Sequence, residues 1–302
     1  MSEQLIKQSV LGVHDGSLDA VKYSVSLRKV YCYASMSGLG YRCEKFRAIV
    51  RDSWKDVDTC TLGMVRAKHY NLVQNADMVE VAESLATNGG LTVERAFTVR
   101  GGEKAYILLR LPSVISVANN PKDTIQPYIL LHNSFDGKSA FGFAYTALRV
   151  CCANQLPGLG KGETEFSGSF SHVARDAENW KTAMGKSAGY IAALSARLDR
   201  LAETEVGPLT MSRLIRECLP SYAKREREKG DRSGIDRIID DVFTPSATNN
   251  YNTLPSAWNL ANGITRELGT KASLAQFLSG AQTERVFSII ERELGITKGG
   301  DK

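Results

Sequence analysis

Two β-forming runs, residues 126–132 and 140–152, stand either side of Asp136-Gly137, and this arrangement constrains the fold more than any other stretch of the chain. An Asp-Gly pair accepts the left-handed backbone of a tight turn, so the two runs predict an antiparallel hairpin. The same logic applies upstream, where residues 91–100 and 104–111 flank Gly101-Gly102. Residues 46–51 and 59–65 read as two further short strands, joined by a turn over 52–58. Between these pairs a helix is expected. Asn75 suits its N-cap and Asp77 its first turn, Met78, Val81, Ala82 and Leu85 recur at helical spacing, and Asn88-Gly89-Gly90 stops it. Together the segments predict an antiparallel β meander with one helix packed across it.

The character of the chain changes after Asn154. Leu156-Pro157-Gly158-Leu159-Gly160-Lys161-Gly162 is too rich in breakers to continue a strand or begin a helix. Helical periodicity then fills 173–201, 211–229, 235–243, 257–268 and 273–294. The expected class is α+β, with a strand-rich domain over 1–154, a Gly-rich linker over 155–162, a mainly helical domain over 163–294 and a flexible tail over 295–302.

Composition removes several function classes. A hydrophobic share of 43% and a charged share of 24% fit a packed globule. No stretch approaches the ~20 apolar residues of a membrane helix, and Met1-Ser2-Glu3-Gln4-Leu5-Ile6-Lys7 lacks an apolar signal core, so a cytoplasmic protein with no membrane partner is expected. Cysteines 32, 43, 60, 151, 152 and 218 form no Cys-x-x-Cys pair and read as reduced thiols, with Cys151-Cys152 closing a buried strand. His14, His69, His132 and His172 are scattered, so neither a metal centre nor a cofactor is expected. The segment 158–164 evokes a phosphate loop, but Gly162 follows Lys161 where Ser or Thr would hold magnesium, and Gln155 replaces the first glycine. No kinase signature is present. The run 224–229 mixes both signs, as a solvated helix face does.

The formal charge of +5 is a mild excess, and its placement matters more. Arg42, Lys45, Arg47, Arg51, Arg66 and Lys68 gather around Tyr41 and Phe46. Lys and Arg can track a phosphate backbone while aromatic faces stack on unpaired bases, which points to single-stranded nucleic acid. A sheet with one solvated charged face produces the same alternation.

The hairpin carries a resemblance. Residues 126–140, reading Gln-Pro-Tyr-Ile-Leu-Leu-His-Asn-Ser-Phe-Asp-Gly-Lys-Ser-Ala, and 148–154, reading Leu-Arg-Val-Cys-Cys-Ala-Asn, resemble the signature of the phage/plasmid-like protein family. In that family a hydrophobic strand leads into Asn-Ser-His-Asp-Gly and a second closes on Arg-Val-Val-Cys-x-Asn. The matching positions here are Asn133, Ser134, Asp136, Gly137, Arg149, Cys152 and Asn154, while Phe135 takes the place of the histidine. Residues 70–75, 100–102, 170–172 and 256–258 agree in order. The resemblance implies a gene carried by a phage or plasmid and a domain of unknown function. The order helix, meander, helix is also similar to the core of single-strand annealing proteins, a likeness of fold alone.

The leading expectation is an ATP-independent single-stranded DNA-binding protein for recombination, acting as a homo-oligomer. It would neutralise phosphates with the basic residues named above and stack bases on Tyr41 or Phe46. One alternative is a protein that engages a host partner or counters a host defence. Another is an enzyme with a site between the meander and the helical half, near Asn133, Asp136, Arg149 and Asn154.

Overall fold

Alternation with a period of two puts Ala105, Ile107 and Leu109 on one face of a strand, where all three are fully buried. The strand belongs to a computed structural model describing residues 10–15, 17–33, 40–53, 58–68, 70, 72–137, 141–149, 155–156, 167–170, 186–244, 255–269 and 281–296. Its strands are β1 (Val10–Asp15), β2 (Val25–Tyr33), β3 (Gly40–Arg51), β4 (Cys60–Arg66), β5 (Thr92–Val99), β6 (Lys104–Arg110), β7 (Ile115–Ser116), β8 (Thr124–Ser134), β9 (Phe141–Arg149), β10 (Gln155–Leu156) and β11 (Ser167–Phe170). Its helices are α1 (Asn75–Gly89), α2 (Ser187–Glu203), α3 (Pro208–Cys218), α4 (Pro220–Lys229), α5 (Ser233–Phe243), α6 (Ala257–Gly269) and α7 (Ala281–Leu294).

The larger sheet runs β1-β5-β6-β8-β9-β10, with β7 beside β8 and β11 beside β9, and every pairing in it is antiparallel. Strands β5, β6, β8 and β9 make the expected meander. Register sets Ile107 beside Leu131 and Leu131 beside Phe143, one row of the buried face. Helix α1 crosses β5, β6 and β8 and buries Met78, Ala82 and Leu85 there, each large side chain contributing ~1.5–3 kcal/mol. The chain is therefore α+β, strand-rich first and mostly helical afterwards.

The helices close the same core. Tyr190 of α2 stacks on Tyr145 of β9 at 4.8 Å between ring centroids, and burial pushes the Tyr145 phenol up to about 12. Trp258 of α6 is fully buried, and its indole N–H donates to Asp123 Oδ2 at 2.8 Å. The Ala118 N–H donates to Asp199 Oδ1 of α2 at 2.8 Å. Inside the helical half, Arg197 is buried against α7, where Glu291 accepts from its Nε at 2.5 Å and its Nη2 at 2.9 Å.

Five details differ from the sequence reading. Strands β1 and β2 precede the first strand expected from the pattern. The strands read near 46–51 and 59–65 leave the meander and form, with β2, a separate sheet of order β2-β3-β4. Helix α1 is capped by Gln74 rather than Asn75, with the Gln74 N–H donating to Asp77 Oδ2 at 3.0 Å. The helix expected over 211–229 divides at Leu219, whose extended backbone precedes Pro220; a ring without N–H starts a helix readily but cannot continue one. Residues 155–156, expected in the linker, pair with β9. The glycine-rich stretch 157–162, with Cys152 and Asn154, lies outside the described residues.

Candidate nucleic-acid interface

The three-stranded sheet presents two unlike faces. Its inner face packs Val25, Ile49, Leu62 and Val65 around Tyr23 and Phe135, and Phe135, at 0% exposure, comes from the end of β8. Gly63 makes that approach possible, because a Cβ there would lie 2.4 Å from the Phe135 carbonyl oxygen. The outer face carries Arg28, Ala48 and Met64 as one cross-strand row, then Phe46 paired with Arg66. Met64 is 59% exposed, unusual for a large apolar side chain.

Beyond Phe46 strand β4 has no further pairs with β3, and β2 and β3 continue as a two-stranded ribbon, Val30–Tyr33 against Gly40–Cys43. A bulge between Lys29 and Val30 sets the ribbon off from the sheet. Tyr41 faces the same way as Cys32, and Tyr31 the same way as Arg42. Tyr31 is 53% and Tyr41 62% exposed, so both faces of the ribbon are wet.

Charge is concentrated here. The three strands hold seven Lys/Arg (Arg28, Lys29, Arg42, Lys45, Arg47, Arg51 and Arg66) and one Glu, a surplus of six where the whole chain has five. Arg28 pairs with Asp52 at 3.1 Å and Arg42 with Glu44 at 3.0 Å, both in solvent, where such pairs are worth ~0–1 kcal/mol and yield easily to a phosphate. The Arg47 guanidinium donates to the Phe46 carbonyl at 2.9 Å. Lys45, Arg66 and Lys68 are exposed.

Arg51 is the exception among the basic residues expected to touch a ligand. It is 3% exposed, and its guanidinium donates to the Gly101 carbonyl and, at 2.9 Å, to the Asp58 carbonyl. Beside it the Tyr23 hydroxyl donates to the Gly102 carbonyl at 2.7 Å, and burial pushes the Tyr23 phenol up. Arg51 and Tyr23 thus hold the turn Arg100–Gly102, whose residues all have positive φ, including Arg100 at +51°. Arg51 ties the small sheet to the large one, and a ligand contact from this side chain is corrected to a structural one.

The family-motif residues gather at the same joint. The Asn133 amide donates to the Val73 carbonyl and to Asn75 Oδ1, each at 3.2 Å, and its Oδ1 accepts the Ser134 N–H at 3.0 Å. Ser134 Oγ donates to Asp136 Oδ1 at 2.5 Å, and Lys104 Nζ lies 3.5 Å from Asp136 Oδ2. Gly137 takes φ +72°, as the turn reading requires. Burial raises the phenols of Tyr70 and Tyr106, and the Asp136 carboxylate raises them further, so both stay protonated at neutral pH. These side chains join α1, β8 and the small sheet. Arg149 ends β9, with its side chain outside the described atoms.

Sequence reasoning found Tyr41, Arg42, Lys45, Phe46, Arg47, Arg66 and Lys68, and the structure brings them onto one sheet and its margin. It missed Arg28, Lys29 and Tyr31 on β2. The signal was present in Leu27-Arg28-Lys29-Val30-Tyr31, but the adjacent cations Arg28 and Lys29 break its apolar alternation. Among the described residues no helix is long and apolar enough to cross a membrane, and no group of His, Cys, Asp and Glu is placed to hold a metal ion.

Comparison with curated proteins and with solved structures gives no match. A family model described as a domain of unknown function (DUF932) matches residues 62–278, which take in β4 from Leu62 onward, the whole meander with its motif, and helices α1 to α6. With well over half of its length matched, the chain belongs to the DUF932 family.

Proposed function

We propose that this protein binds single-stranded DNA on the outer face of the three-stranded sheet, serving ATP-independent strand annealing or recombination for a phage or plasmid. One observation carries the reading: a 28-residue sheet that holds more positive charge than the whole chain nets also exposes Tyr31, Tyr41, Phe46 and Met64. Arg28 and Arg66, with Lys45 and Lys68 at the margin, neutralise phosphates, and Phe46 stacks on bases, which leaves pairing edges open; Tyr41 and Arg42 stand apart on the ribbon, and Arg47 lies in the inner-face row beside Val65. No covalent step is needed. Assembly as a homo-oligomer and residence in the host cytoplasm belong to the same proposal.

A host protein is the competing partner, and Met64 favours it, because an exposed thioether packs well on a protein surface but offers no flat face to a base. Fluorescence anisotropy of a labelled 30-nucleotide single strand separates the two. The wild type is expected to bind in a salt-dependent manner, and Arg28→Ala with Arg66→Ala to weaken binding about tenfold and flatten the log–log salt slope by about 1.4. A flat wild-type titration at low salt removes the DNA reading in favour of the protein partner.

A further inference from the structure

The ribbon differs from the sheet that carries it. A flat face covered on its other side suits a flexible single strand, which can lie along it. A ribbon with solvent on both faces can be surrounded. Four residue pairs, Val30–Tyr33 against Gly40–Cys43, extend past β4. At ~3.3 Å per residue they span ~13 Å, and two strands ~4.8 Å apart with side chains on both faces have about the girth of an α-helix. The major groove of B-form DNA is ~12 Å wide and ~8.5 Å deep and admits such a ribbon. The chemistry of the two faces fits that environment. Tyr31 and Arg42 share one face, Tyr41 and Cys32 the other, and Lys29 and Lys45 stand exposed at the base where the groove's phosphate rims would pass. The only carboxylate on the three strands, Glu44, is held by Arg42.

We infer that the β2–β3 ribbon is a second contact element that enters the major groove of duplex DNA, separate from the single-strand surface formed by Arg28, Phe46, Met64 and Arg66. The protein then holds a single strand on its sheet and the adjoining duplex with its ribbon, so its preferred ligand is a junction between the two. The inference deepens the proposed DNA-binding reading and rests on it for the single-strand half alone.

The test uses the full chain, a ribbon variant (Tyr31→Ala, Tyr41→Ala and Arg42→Ala together) and the face variant (Arg28→Ala with Arg66→Ala). The probes are a labelled 30-nucleotide single strand, a 30-base-pair DNA duplex, a duplex with a 15-nucleotide single-stranded tail, and a 30-base-pair RNA duplex. All substituted side chains are solvent-exposed, and matching circular dichroism melts establish that each variant is folded. The ribbon variant should lose at least tenfold in affinity for the DNA duplex and stay within twofold of wild type on the single strand, and the face variant should show the reverse. The tailed duplex should bind the wild type tighter than either simple ligand. Duplex RNA, whose major groove is too narrow to admit side chains, should not respond to the ribbon substitutions. Equal losses on both DNA ligands, no loss on the duplex, or an equal loss on RNA overturns the ribbon assignment. A protein that ignores the single strand but binds duplex DNA through the ribbon refutes the single-strand reading and leaves this one standing.

Discussion

The small sheet and the body it sits on treat charge in opposite ways. In the body, arginines are matched: Arg197 with Glu291 and Glu284, Arg216 with Glu226, Arg237 with Glu267, Arg266 with Asp241 and Arg292 with Glu217. On the small sheet six of the seven cations face solvent or its margin, with Glu44 and Asp52 as the recorded carboxylate partners. The buried pair of Arg197 with Glu291 fixes one arrangement of helices, since losing one partner strands the other in a poor solvent. Exposed cations fix nothing inside the protein and remain available to something outside it. One protein thus uses the same residue type for cohesion in one region and leaves it exposed in the other.

Three experiments bear on that contrast. The largest effect is expected from Glu291→Ala, which leaves the Arg197 guanidinium buried beside α7 with its weaker partner Glu284 at 3.4 Å. Chemical denaturation should record a loss of ~3–5 kcal/mol. A loss below ~1 kcal/mol, the range of an exposed pair, would erase the distinction between the two regions. Gly63→Ala comes next. Its added methyl meets the Phe135 carbonyl, so the small sheet must shift on the body, at a cost of ~1–3 kcal/mol. Hydrogen exchange should rise in β3 and β4 but not in the β6–β8 core. A uniform rise would mean that the sheets unfold as one unit.

The smallest effect is acid sensitivity at the α3–α4–α5 corner. Hydrogen bonding from Arg216 holds the Glu226 carboxyl below its usual range, and bonds from the Ser233 hydroxyl and N–H do the same for Asp231. Both folded-state values are depressed, so their contribution is present above the ordinary carboxylate range of ~4 and fades as pH falls through the lower folded values. Amide resonances of α4 and α5 should shift as pH falls below ~4, while those of β3 hold until global unfolding. Simultaneous movement would place acid weakness elsewhere.

Most of the framework is legible in the sequence because local signals and tertiary demands agree there. The meander strands alternate, Gly101-Gly102 and Asp136-Gly137 mark their turns, and α1 has Asp77 in its first turn and a glycine at Gly90 with φ +66°. Legibility fails where a distant contact decides. Arg51 reads as one more cation in a basic run, and only the carbonyls of Asp58 and, fifty residues along the chain, Gly101 bury it. The basic site was visible as a cluster, but its division into a buried anchor and an exposed surface was not. β2 escaped because the adjacent cations Arg28 and Lys29 disrupt its apolar period. Asn133 and Ser134 lie beyond the strand read over 126–132, yet they end β8, and Asn133 holds the entry to α1.

Strand β2 also borders the small sheet, and an uncovered border invites another chain to add a strand. Here the invitation is limited. The Gln74 side-chain amide takes the outward N–H of Val25 at 3.1 Å and its carbonyl at 2.9 Å, completing the first position of the edge as a neighbouring strand would. Arg28 and Lys29 follow at once, so a second copy laid antiparallel along this border would set like charges against each other. The sheet is closed to its own kind at the edge while its face stays open, a safeguard against aggregation for a surface so rich in exposed aromatic side chains.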